Sequence, residues 1–220
     1  MGKAPDSISP SATTNERFPA PGGREIIIPH EPGAGPVTAI RNLVLQSSLK
    51  ELEMGGYFER YKTLIDPAVL HELTSNVGPA WIAADLALQH YKACDDLGLT
   101  TEEFLALGKR VGDRIQDATI VSPAKKARDA SFDVWGTMRQ FHRIWARIYV
   151  GGSVQVVKGG PKKLLLEQLG FPFNRYNYYR LATVATVRAT YTSVGIRITQ
   201  VKVASYDPKR NEVVIQAEWL

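Results

Sequence analysis

A single cysteine, Cys94, stands in the 220 residues, so no disulfide can close within the chain. That suits a reducing compartment, and the expected location is the cytoplasm. Long hydrophobic runs are missing as well: no window approaches the ~18 consecutive apolar residues of a membrane span. The opening MGKAPDSISPSATTNERFPAPGG has no apolar stretch behind its lysine and does not read as a secretory signal. Gly2 follows Met1, but a myristoylation signature wants Ser or Thr at the sixth position, where Asp6 stands. Signs of catalysis are also lacking. There is no glycine-rich phosphate loop with its lysine and no nucleophile elbow. His30, His71 and His90 match no metal-ligand spacing, and no carboxylate accompanies them as on a metalloprotease helix. No catalytic residue and no metal ligand is therefore assigned, and a non-enzyme is expected. Cys94 lies beside Asp95 and Asp96, whose charge would quiet a thiol.

What is present supports one sizeable core, since 44% of the residues are hydrophobic. Charge is uneven. Between Lys109 and Lys163 twelve basic residues face four acidic ones, a local excess of eight where the whole chain carries +5. Such an excess attracts phosphates or acidic partners, and it is equally the composition of a solvated helix surface. Residues 1–36 hold seven of the thirteen prolines and no apolar period, which predicts a disordered or extended leader. Within it Glu25-Ile26-Ile27-Ile28, closed by Pro29, has the pattern of an edge strand for this domain or for a neighbouring subunit.

Residues 37–220 read as one α+β domain, helical over 37–150 and ββαββ over 151–220. Helix signals are clear: Asp66-Pro67 and Ser122-Pro123 are caps followed by proline, Thr100 to Glu103 is a capping box, and Gly98 stops a helix. They predict helices near 47–54, 58–64, 67–75, 80–97, 101–116 and 124–149. After Gly151-Gly152 the period changes from 3.6 to two. A hairpin is predicted over 154–158 and 163–169, and a helix over 174–193 capped by Asn174. Strands follow over 195–206, with a bulge between Ile198 and Val201, and over 212–219, where Val213, Ile215, Ala217 and Trp219 alternate. The expected architecture is an N-terminal helical layer packed with a four-stranded, mostly antiparallel sheet.

Two stretches carry a resemblance. One is Arg41-Asn42-Leu43-Val44-Leu45-Gln46-Ser47-Ser48-Leu49 with Tyr57-Phe58-Glu59-Arg60-Tyr61, Trp81, Tyr91 and Leu107-Gly108-Lys109-Arg110. The other runs from Tyr178-Tyr179-Arg180 through Ala189 and Gly195 to Trp219. Together they resemble a paralogous myxobacterial family of roughly 200-residue proteins of unassigned function. The order of helices and then ββαββ is similar to heme–nitric-oxide-binding domains and to vinyl-4-reductase-type ligand-binding domains. In the heme family a helix histidine ligates the iron and a Tyr-x-Ser-x-Arg motif before the later helix grips the propionates. Here the matching strand reads Leu164-Leu165-Leu166-Glu167-Gln168-Leu169, without that clamp, and His142 is the histidine placed like the proximal ligand. No cofactor is expected.

On the helix after Ser122, Val134, Met138, Phe141, Trp145 and Ile148 fall within about 40° of one line at 100° per residue, and His142 sits at the border of that face. The resemblance implies a cleft between helical layer and sheet, with Trp135, His142, Trp145 and Tyr149 as its lining. Opposite, Arg128, Arg139, Arg143 and Arg147 form a basic stripe, either solvated or a phosphate contact. Tyr176, Tyr178 and Tyr179 with Arg175 and Arg180 could stack bases or rim a pocket; the expected role is to lock a helix onto a sheet. The resulting expectation is a regulatory or sensory domain binding a small apolar ligand or a protein partner. The alternatives are a surface-acting interaction protein that uses the basic face, or a leader-mediated homodimer, and heme-based gas sensing. Nucleic-acid binding is disfavoured by the lack of helix-turn-helix, zinc-finger or RNA-recognition patterns.

Overall fold

A computed structural model describes residues 25–76, 78–119, 134–139, 141–193 and 195–220, with the side chains of 115–119, 137, 141–144 and 193 outside that description. The Ser122-Pro123 cap lies outside the described residues. The chain is α+β, as its periodicity predicts. Helix α1 (Asn42–Met54) starts five residues before the expected point. No capping side chain marks its start; instead the buried Asn42 amide donates to the Leu73 and Asn76 carbonyls at 3.0 and 2.8 Å. α2 (Phe58–Lys62) and α3 (Pro67–Ser75) follow, and Asp66 accepts from the Ala68 amide at 2.7 Å as an N-cap should.

The expected helix over 80–97 divides. Trp81–Ala83 form a strand, β3, and α4 spans Ala84–Asp96, because Ala83 is extended and β3 pairs with β2 (Ala39–Arg41). Trp81 is exposed beneath the Arg41 guanidinium, 3.8 Å from its ring centre. Gly98 adopts φ 60° and ends α4, and the Thr100–Glu103 capping box opens α5 (Thr101–Thr119) with both reciprocal hydrogen bonds formed. Of the expected helix over 124–149, residues 124–133 and 140 lie outside the described residues; the described part holds two segments, α6 (Val134–Met138) and α7 (Phe141–Ile148). Tyr149–Val150 leave it as β4, pairing with β2. Strands of two or three residues hold too little pattern to outweigh a helical period.

The main sheet contains β5 (Ser153–Gly160), β6 (Lys163–Leu169), β7 (Ile198–Asp207) and β8 (Glu212–Trp219), with β1 (Glu25–Ile28) as a fifth strand. Its order is β1-β5-β6-β8-β7, antiparallel throughout. The ββαββ unit thus supplies four strands, and the Ile26–Ile28 run pairs with the free edge of β5, whose amides and carbonyls would otherwise lack ladder partners. A register shift between Ile198 and Gln200 is the bulge the phase change predicts.

Helix α8 (Asn177–Ser193) crosses one face of this sheet. Val184, Val187 and Tyr191 pack there with Val156, Leu164, Leu166, Ile215 and Ala217. Its cap is not Asn174, which lies in a 3-10 turn (Pro172–Arg175) and donates to the Asn211 carbonyl. Asp95 of α4 caps it, accepting from the Asn177 and Tyr178 amides at 2.8 and 2.6 Å. On the other side α5 lies directly on α8. A methyl added at Gly108 would come within 2.7 Å of the Ala182 Cα, so only glycine lets these backbones approach.

Candidate functional site

Two polar or concave features stand out from the packed interior. The first is a sealed network. His90 shares hydrogen bonds with the Tyr61 hydroxyl at Nδ1 (2.7 Å) and the Ser48 hydroxyl at Nε2 (3.0 Å), and Ser48 meets the Tyr178 hydroxyl at 2.6 Å. Burial holds the imidazole neutral and drives its pKa to about 3. The Cys94 thiol lies 3.6 Å from the same ring and is pushed up, chiefly by burial and then by Asp95. These groups hold α1, α2, α4 and α8 together and are closed to solvent.

The second is a cavity of about 790 Å³ between the sheet edge and α7. One wall is a strap, β1 and the loop after it. Ile27, Ile28 and Pro29 face the cavity, and Glu31 lies at its rim. The strap is anchored by Ser153, whose hydroxyl accepts from the Glu31 amide at 2.8 Å and contacts His30 Nδ1 at 3.2 Å. His30 Nε2 in turn lies 3.7 Å from Glu167. Past the strap the chain crosses the Gly151-Gly152 pair, both at positive φ, and a Cβ on Gly151 would lie 2.4 Å from the Pro36 carbonyl oxygen. The opposite wall is aromatic. Trp145 stacks on Tyr149 at 5.2 Å, and Phe171 stands edge-on to both at 5.9 and 5.1 Å. The Tyr149 hydroxyl accepts from Tyr179, which ties this wall to α8.

Of the residues expected at a cleft, Trp145 and Tyr149 line this cavity, and Arg139 from the basic stripe is exposed at its rim. Trp135 faces elsewhere, packing 5.4 Å from Trp219 with the Lys158 ammonium 5.2 Å from its ring centre. His142 and Arg143 have their backbone in α7 and their side chains outside the description; Arg128 lies outside the described residues. Arg147 is exposed on α7. Sequence reasoning missed Ile27, Ile28, Val154 and Phe171; the edge-strand pattern at 26–28 was the signal that could have found the first two. The tyrosine–arginine cluster also takes a different role. Tyr178 and Tyr179 are buried against Tyr91, Phe104 and Phe173 and lock α8 onto the helical layer, while Arg180 alone reaches the sheet, stacking over Tyr206 at 4.4 Å.

This order of elements, a helical layer followed by ββαββ with the inner helix across the sheet, recurs in solved structures. The fold is that of H-NOX domains. An Fe(II) unliganded H-NOX protein from K. algicida matches with a TM-score of 0.51 at 9% identity, covering 82% of this chain and 97% of its own. An oxygen-binding H-NOX domain related to soluble guanylate cyclases matches at 0.52 and 10% identity, covering 82% and 95%. An H-NOX protein studied for its activation mechanism matches at 0.52 and 9% identity, covering 82% and 96%. No protein-family model and no curated protein matches the sequence.

In β6 Leu164 and Leu166 are buried in the sheet–helix core, and no tyrosine, serine or arginine stands on that strand. Between the helical layer and α8 the described rings pack with centres 5.0–6.2 Å apart. Among the described residues the cavity lining contains one arginine and no histidine; the His142 side chain lies outside that description.

Proposed function

We propose that this chain is a non-enzymatic sensory or regulatory domain on an H-NOX-like fold, and that it takes a small, largely apolar ligand in place of heme. The observation that carries the reading is the cavity of about 790 Å³ walled by Ile27, Ile28, Trp145, Tyr149, Val154 and Phe171. A concave, mainly aliphatic and aromatic chamber with a few polar groups at its rim is the usual form of a small-molecule site. The H-NOX neighbours include a protein described as oxygen-binding, which supports a ligand-binding use of the frame. The filled interior and the missing propionate clamp support a ligand other than heme. A ligand here would bridge the strap to α7, so occupancy could be read by a partner protein as a change in that surface. We further place the chain in the cytoplasm and with the myxobacterial paralogous family whose residues it resembles; no described helix is long and apolar enough to cross a membrane.

The test uses an uncharged fluorescent probe, N-phenyl-1-naphthylamine. It should bind one-to-one with enhanced emission and raise the melting temperature. Ala146→Trp, an exposed position of α7 that lines the chamber, should abolish binding while the circular dichroism spectrum stays unchanged. Hemin added to the purified protein should give no bound Soret band. Probe binding that survives Ala146→Trp, or stoichiometric hemin uptake, overturns the reading.

A further inference from the structure

We infer that the ligand of this cavity is an amphipathic monocarboxylate, its apolar body inserted between strap and α7 and its head held at the rim by Arg139. The inference rests on the small-ligand reading above and adds the head group to it. Inside the chamber both side-chain hydroxyls and the Gly152 amide are already engaged. The Tyr149 hydroxyl is bonded to Tyr179, Ser153 to the Glu31 amide and His30, and the Gly152 amide to the Gly35 carbonyl at 2.9 Å. The buried Trp145 indole N–H has no partner among the described residues. A polar atom carried deep into the chamber would lose water and find at most this one N–H, so the inserted part is mainly apolar.

At the rim the situation is reversed. Arg139 is exposed, lines the opening, and pairs with no carboxylate among the described residues. The segment 134–150 that carries it has three arginines and no acidic residue. Glu31 is the one carboxylate among the described lining residues. One guanidinium balances one negative charge, and the second charge of a phosphate dianion would stand unbalanced in a lining that also holds the Glu31 carboxylate, which favours a carboxylate head. The planar guanidinium fork also matches a carboxylate's two oxygens.

The experiment measures binding of hexanoate, octanoate and decanoate, the alcohols of the same lengths, and decyl phosphate, by calorimetry at pH 7 and low salt. Each added methylene should tighten binding by about fourfold in both series. Decanoate should bind at least tenfold more tightly than decanol, and decyl phosphate more weakly than decanoate. Arg139→Gln should erase the advantage of decanoate and leave decanol unchanged. Equal binding of decanoate and decanol, an advantage that persists in Arg139→Gln, or preference for the phosphate would overturn the inference while chain-length dependence kept the cavity reading standing. No binding of any chain would overturn both.

Discussion

His90 shows how one buried side chain can set the response of the whole protein to acid. Its folded pKa of about 3 lies below the ordinary 6.5, because burial disfavours the charged ring. The unfolded chain takes up a proton as pH falls below about 6.5, and the folded one does not until about pH 3. The stability tied to this group is therefore complete above pH 6.5 and is lost on acidification, by about 1.4 kcal/mol per pH unit across that window. Urea unfolding at pH 7, 6, 5 and 4 should reveal the slope. His90→Gln should be less stable at pH 7, by about 1–3 kcal/mol for the unpaired Tyr61 and Ser48 hydroxyls, yet flatter in pH. An unchanged slope in that variant would remove His90 as its source. Glu51 adds to acid sensitivity lower down. Burial opposes its charge, but hydrogen bonds and charges from Arg114 and Arg110 outweigh that and hold its carboxyl below the usual value of 4.5. Its contribution is present above that value and fades as pH falls through the lowered one.

Among the elements, the pair α5–α8 decides how closely the helical layer approaches the sheet. Gly108 and Gly112 face Ala182, Ala185, Thr186 and Ala189, so the backbones touch. Gly108→Ala improves helix propensity in isolation, yet its methyl would meet the Ala182 Cα at 2.7 Å, and main-chain atoms cannot step aside. Thermal unfolding should show a net loss of about 1–3 kcal/mol. A neutral or stabilised Gly108→Ala protein would mean that the helices have room to separate. The strap is an element of a different kind. A short edge strand with one register shift, it is held to β5 by its ladder and by the contacts of Ser153 with His30 and the Glu31 amide.

For the molecule as a whole, the aromatic helical core and the sheet core meet through Trp145 and Val154, which pack against both. Shared side chains of this kind couple the two, and we propose that residues 37–220 unfold as one unit. Tryptophan fluorescence and far-ultraviolet circular dichroism should give coincident urea transitions; two separated midpoints would divide the domain. At this scale the sequence by itself determined the fold class and most element positions. Capping residues, Gly98, and the change of apolar spacing at Gly151 act over a few neighbours, so they can be read locally. The tertiary structure alone decided the rest. Asp95 caps a helix 82 positions away, Ile27 and Ile28 close a chamber against α7, and Trp135 and Trp145, ten residues apart, face different surroundings. Each depends on which distant surfaces meet, and no spacing along the chain encodes that.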